Sequence, residues 1–295
     1  MNAFLDEVGK KFAERWMSLL ALPGLLYLAT AAVAVTLGHR NAWNLGMLSG
    51  QITEWSTSRS LRSVGGAALI VVAVLLGSIA AGLLAGALGH LVEMMWTMPG
   101  RRRPARWLAA RRRTRSRAAK SRADAAATQA ELSEAIAEAN RICLLEADRP
   151  TWIGDRLRVT RLRVAAFYGL DIDSTWALLW LILSEDARNE LSAARDAFAT
   201  AARITAWGLL YLVLVAWWWP ALFIAAGTLM TAHLRSRSAT ANLAALIEAV
   251  VDLHAQDLAN RVQQTGHTYT DPEVGQQITR LVQKSRWDPG SALAD

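Results

Sequence analysis

Residues 67–89 read AALIVVAVLLGSIAAGLLAGALG, twenty-three positions without a charged side chain. A helix rises about 1.5 Å per residue, so about 20 apolar residues cross a hydrocarbon core of about 30 Å. This stretch meets that length, and the chain is therefore read first as an integral membrane protein of the all-α class. Two further blocks compare with it. Residues 19–37, LLALPGLLYLATAAVAVTL, contain nineteen uncharged residues, and 204–232, ITAWGLLYLVLVAWWWPALFIAAGTLMTA, contain twenty-nine. A secretory signal is the competing reading of 19–37, with Ala32-Val33-Ala34 as cleavage site. The run exceeds the ~7–15 residues of a signal's apolar region, and Asp6, Glu7 and Glu14 precede it, so it is read as a retained span.

The last block is long enough for one oversized helix or two short ones. Pro220 lacks a backbone donor and disfavours helix at the residue before it. Trp217, Trp218 and Trp219 stand immediately before that proline, and Trp prefers the headgroup level to the bilayer centre. A hairpin turning at WWWP puts these three anchors at one interface. It puts Arg203, Arg235 and Arg237 at the other. The expected architecture is four transmembrane helices as two hairpins: 19–37, 67–90, 204–219 and 220–233. Residues 38–66 form an external loop, while 91–203 and 234–295 supply a cytoplasmic helical domain. Phe4, Val8, Phe12 and Trp16 recur every four residues and suggest an interfacial amphipathic helix over 1–18.

Orientation follows from one cationic run. Arg101, Arg102, Arg103, Arg106, Arg111, Arg112, Arg113, Arg115, Arg117, Lys120 and Arg122 fall within twenty-two residues that hold no acidic one. The whole chain carries only +7, so the remainder is net negative and the basic character is local. A Lys/Arg excess close to a span marks the cytoplasmic side. The 38–66 segment has only Arg40, Arg59 and Arg62. Both termini are therefore expected in the cytoplasm, in a bacterial inner membrane, with the run attracting anionic lipid headgroups. Nucleic acid is disfavoured as a partner: only Trp107 in the run offers a base-stacking surface, and no nucleic-acid fold motif follows.

The cytoplasmic parts read as helices. RADAAATQAELSEAIAEANRICLLEA, 122–147, is rich in helix formers and is expected to extend the basic run as one amphipathic helix, stopped by Pro150. RLRVTRLRV alternates as a strand would, yet Ile153, Leu157, Val164 and Phe167 also share a helical face, and helix is preferred. STWALLWLIL, 174–183, is too short to span; Ser184 caps a helix running into the third span. In the tail, Leu243, Leu246, Ile247, Val250, Leu253, Leu258 and Val262 stripe one helix over 239–263. Asp271 and Pro272 open another.

The order Pro150-Thr151-x-x-Gly154-Asp155-x-Leu157-Arg158, Tyr168-Gly169-Leu170-Asp171 and Trp180, followed by Val251-Asp252-Leu253-His254, resembles a group of uncharacterised bacterial multi-pass membrane proteins. The resemblance covers about 148–285. It implies this architecture and no activity.

Chemistry is sparse. No nucleotide-binding Gly loop occurs. His90 with Glu93, and His254 with Asp257, supply at most two metal ligands each where zinc takes three or four. Asp171 and Asp173 read as helix-capping residues, and Gly154-Asp155 as a turn. Cys143 is the only cysteine, which excludes an intramolecular disulfide. No catalytic residue, metal or cofactor is implied. The span interiors hold no Asp, Glu, Lys, Arg or His, which speaks against a pump or coupled transporter. Ser78, Gly82, Gly86 and His90 fall every four residues, beside a row of Ala81, Ala85 and Gly89. Such rows let helices approach closely in lipid, either against the chain's own spans or between copies. The function expected is a non-enzymatic anchor or scaffold presenting its helical domain to a cytoplasmic protein. The alternative is an oligomeric channel or membrane-permeabilising effector joined through the second span.

Overall fold

The computed structural model describes residues 22–57, 63–100, 105–142, 147–263 and 272–283. Among these every regular element is an α-helix. In order they are α1 (Leu22–Leu37), α2 (Leu45–Thr57), α3 (Val64–Thr97), α4 (Ala105–Asp124) and α5 (Gln129–Ile142), then α6 (Trp152–Tyr168), α7 (Ile172–Ile182), α8 (Glu185–Leu214), α9 (Ala221–Gln263) and α10 (Pro272–Val282). The chain divides into two compact units, 1–93 with 199–234 and 94–198 with 235–295. The expected 1–18 helix, Arg101–Arg103, Cys143 and Asp271 lie outside the described residues.

In the first unit, small residues let helices touch. A Cβ added to Gly24 of α1 would run into the Ser78 carbonyl of α3, and one added to Gly89 would sit 3.2 Å from the Arg203 Cα of α8. One added to Gly208 of α8 would lie 2.6 Å from Leu229 Cδ2 of α9. Tyr27 of α1 packs its ring against Trp207 and Tyr211 of α8, at centroid distances of 5.9 and 5.5 Å. Between α8 and α9 the chain turns over Val215–Pro220, as the proline requires.

Among the described residues two helices, Gly65–Thr97 within α3 and Glu185–Leu214, are long and apolar enough to cross a membrane. The expectation of four such spans is not met. Helix α1 is described from Leu22, directly after the residues outside the description, and counts sixteen residues there, fewer than the about 20 of a full span. The segment expected as the fourth span is the start of the 43-residue α9, which runs on through Arg235 and Arg237 because no Gly or Pro follows Gly227 within it. The 239–263 helix is the second half of α9, not a separate element. The 38–66 loop contains α2.

The second unit has two apolar cores. One joins Val164, Leu170, Ile172 and Leu179 to Val251, Leu258 and Ile278; the other joins Ile153, Leu183, Leu191 and Phe198 to Leu243 and Val250. Helix, not strand, is the state of RLRVTRLRV. The basic run and the acidic stretch after it do not form one continuous helix. They fold back as α4 and α5, packed on each other across 125–128. A capping box causes the break: Glu131 N donates to Thr128 Oγ1 (3.3 Å), and the Glu131 carboxylate accepts from Ala127 N (3.0 Å).

Candidate ligand-binding site

Within the second unit, α6, α7, α8 and α9 enclose a half-open cavity of about 550 Å³. Each helix contributes residues three or four apart, one face apiece: Leu157 and Arg161, Asp173, Trp176 and Trp180, Ser192, Arg195 and Asp196, Leu243 and Ile247. The two indoles lie 6.3 Å apart, tilted by 39°. Arg161 Nη1 donates to Asp173 Oδ2 at 3.0 Å. Thr160 donates its hydroxyl to Glu248 at 2.8 Å, and the Arg195 guanidinium stands over the Phe198 ring at 5.7 Å. Such a lining can bind a small molecule.

The Pro150–Arg158 stretch supports α6, a wall of this cavity. Thr151 caps it, its Oγ1 accepting from Gly154 N at 3.0 Å and donating to the Trp96 carbonyl at 2.5 Å. Gly154 is required because a Cβ there would lie 2.5 Å from that carbonyl. Asp155 is no mere turn residue. It is 1% exposed and accepts from Asp148 N (3.1 Å), Arg149 N (2.9 Å) and Arg112 Nη1 (2.6 Å). Arg149 in turn donates to the Thr97 carbonyl at the end of α3, where a cation suits the helix dipole. Burial, then the neighbouring Arg161 and Arg158, pulls its pKa below the ordinary guanidinium value.

The later pieces of the pattern meet each other. Tyr168 donates to Asp252 Oδ1 at 2.7 Å, which, with burial, raises the pKa of its hydroxyl. Gly169 ends α6 at φ +64°, where a Cβ would collide with the Pro272 carbonyl. Asp171 N donates to Thr279 Oγ1 at 3.1 Å.

The residues singled out in the sequence are divided by the structure. Ser78 and Gly82 are buried, but a Cβ on Gly86 meets nothing within 4 Å and His90 is exposed. The packed row is Ala81, Ala85 and Gly89, one step round the helix. Of the basic run, Arg112 binds Asp155, and Arg113 binds the Ala147 carbonyl (3.0 Å) and Asp148 (3.2 Å). These two hold α4 in place. Arg111 lies over Trp107 at 5.8 Å. It is exposed, as are Arg106, Arg115, Arg117, Lys120 and Arg122. The Trp anchors sit in the α8–α9 turn. Trp218 Nε1 donates to the Ala42 carbonyl (3.1 Å), His39 Nδ1 lies 2.6 Å from the Trp217 carbonyl, and Trp219 packs edge-on to Trp43 at 6.0 Å. The 38–44 and 215–220 turns are thus side by side.

Among the described residues no three His, Cys, Asp or Glu side chains gather as metal ligands. Sequence reading missed the cavity, whose one local signal was Trp176 and Trp180 sharing a face with Asp173. No family model, no curated protein and no solved structure matches this chain.

Proposed function

We propose that this protein is a non-enzymatic anchor of the bacterial inner membrane that presents a cytoplasmic helical unit to a partner protein. One observation carries the reading. In the first unit large apolar side chains are exposed on every helix that packs there, including Leu25, Leu69, Val71, Leu76, Leu212 and Phe223. Contiguous apolar surface of that kind belongs against lipid. Helix α1 and the apolar start of α9 complete the embedded bundle in this reading, so that the chain crosses four times. The paired 38–44 and 215–220 turns, rich in Trp, then lie at the outer interface, and both termini lie inside. The exposed cations of α4 attract anionic headgroups, worth about 1 kcal/mol each near the surface. The open side of Gly86 is where a second copy would fit. The resemblance to uncharacterised multi-pass proteins agrees with this architecture.

A reporter active only in the cytoplasm, fused after residue 120 or at the C-terminus, should be active, and one inserted at Ser49 silent. Activity at both 49 and 120 would overturn the topology. Photo-crosslinkers on exposed positions of the second unit should capture one discrete protein adduct in cells. Ion passage by the pure protein in liposomes, without such an adduct, would replace the anchor with the channel.

A further inference from the structure

We infer that the cavity of the second unit binds a small zwitterion with an apolar body: an amino acid with a large apolar side chain, or a dipeptide of such residues. This goes beyond membrane anchoring and does not rest on it. The volume of about 550 Å³ falls within the about 300–1,000 Å³ of small-molecule sites, which are mostly apolar with a few placed polar groups. Trp176 and Trp180, with Leu243 and Ile247, provide the apolar part. The charged part is balanced. Arg161 and Asp173 form one pair at 3.0 Å, and Arg195 and Asp196 follow each other on α8.

That balance selects the ligand class. A simple anion would face Asp173 and Asp196, and a simple cation would face Arg161 and Arg195. An uncharged apolar molecule would cover all four groups and strip them of water without replacing it, which is costly. A molecule carrying both signs and no net charge offers its carboxylate to Arg195 and its ammonium to Asp196. Its side chain then rests on the indoles. The contact of Arg195 with the Phe198 ring already orients the guanidinium, so less freedom is lost on binding.

The test is calorimetric titration of the full-length protein in nanodiscs of phosphatidylglycerol, which lacks an ammonium group. The probe is L-leucyl-L-phenylalanine. Saturable binding at one site is expected, weakened about tenfold by N-acetylation or by C-terminal amidation, since each removes one charge-assisted hydrogen bond. Arg195→Gln should make acid and amide bind alike while the acetyl form stays weaker. Asp196→Asn should do the converse. Both side chains are exposed, so neither change endangers folding. No saturable heat, or blocked dipeptides as tight as the free one, would overturn the inference. So would an equal loss for every ligand in both variants. Tighter binding of glycerophosphoethanolamine would assign the site to a lipid headgroup and overturn the apolar-body requirement.

Discussion

In the unit of 1–93 and 199–234 most buried positions are small, among them Gly24, Ala34, Ser78, Ala81, Gly82, Ala85, Ala206 and Ala225, with Trp207, Leu210, Tyr211 and Leu214 as the main large ones. The large residues Leu69, Val71, Leu83, Phe223 and Met230 are exposed. In the unit of 94–198 and 235–295 large side chains make up more of the core. Phe198, Leu170, Leu179, Leu183, Leu258 and Ile278 are buried, and apolar residues such as Leu181 and Leu253 reach the surface singly. Water drives large apolar groups inward, as in the second unit. Lipid would remove that drive and leave close backbone packing to hold helices together, which is what the proposed embedding asks of the first unit.

The sharpest way to break this contrast is to enlarge glycines in the first unit. Gly24→Leu pushes a side chain into the Ser78 backbone, which cannot move aside as a flexible side chain would. The cost should exceed about 3 kcal/mol, the upper part of the range for overpacking, and folded protein should vanish from detergent size-exclusion profiles. Gly86→Leu enters open space and should leave the monomer's folded yield unchanged. If both variants folded equally well, small-residue packing would not be what holds this unit.

The second unit should break through its buried charge instead. Asp155→Ala removes the acceptor of two backbone amides and leaves Arg112, only 17% exposed, without its carboxylate. Breaking a buried pair from one side costs about 3–5 kcal/mol. Arg112 keeps a second acceptor, the Arg149 carbonyl at 2.8 Å, so about 3 kcal/mol is expected, read as a shift in chemical denaturation. A change below about 1 kcal/mol would show that water replaces the lost carboxylate, and that the motif is only a turn after all.

These two cases also show what the sequence could and could not disclose. The length and chargelessness of 67–89 were sufficient to find α3, because spanning a bilayer is a one-dimensional constraint. The break at WWWP was legible because Pro220 acts on its own neighbours. The α4–α5 fold-back was missed although Thr128-x-x-Glu131 is a local signal, since a continuous run of helix formers outweighed it. The roles of Arg112 and Arg113 were not legible at all. Nothing distinguishes them from Arg111 or Arg115 until Asp155 and the Ala147 carbonyl, more than thirty residues away, come within reach. Which small residues of α3 are packed was legible only in part: Ser78 and Gly82 are buried beside Ala81, Ala85 and Gly89, while Gly86 and His90 are not, because the packed face depends on neighbours, Gly24 and Arg203 among them. The cavity needs four helices to exist.

A smaller effect sharpens the Tyr168–Asp252 contact. Its hydroxyl is accessible and the bond is worth about 0.5–1 kcal/mol, so Tyr168→Phe should lower the melting temperature of the second unit by a few degrees at most. The pH dependence carries the sign. Donation to Asp252 raises the folded pKa above the ordinary tyrosine value, so the stabilisation is fully present below about pH 10 and fades as pH rises through the raised value. The wild-type advantage over Tyr168→Phe should therefore shrink in melts taken at successively higher pH above 10. An advantage that grew there would mean the contact is not made by the neutral phenol.

The smallest effect on stability should come from the exposed cations of α4. Arg111 and Arg115 stand four residues apart, and Arg117 and Lys120 three, so like charges face one another along the helix. Such pairs cost about 0.2–0.5 kcal/mol each, and replacement by Gln removes that cost while keeping a good helix former. Changing Arg106, Arg111, Arg115 and Lys120 together to Gln should therefore leave denaturation of the folded chain unchanged or slightly harder. Retention of vesicles rich in phosphatidylglycerol should fall with each charge removed, and more steeply at low salt. The same exchange at Arg112 alone should destabilise the unit through Asp155 and leave vesicle retention almost untouched. If the four-fold variant unfolded more easily than Arg112→Gln, the proposed division of the basic run into two buttresses and a membrane-facing set would be wrong, and these exposed cations would have to be bracing the fold as well.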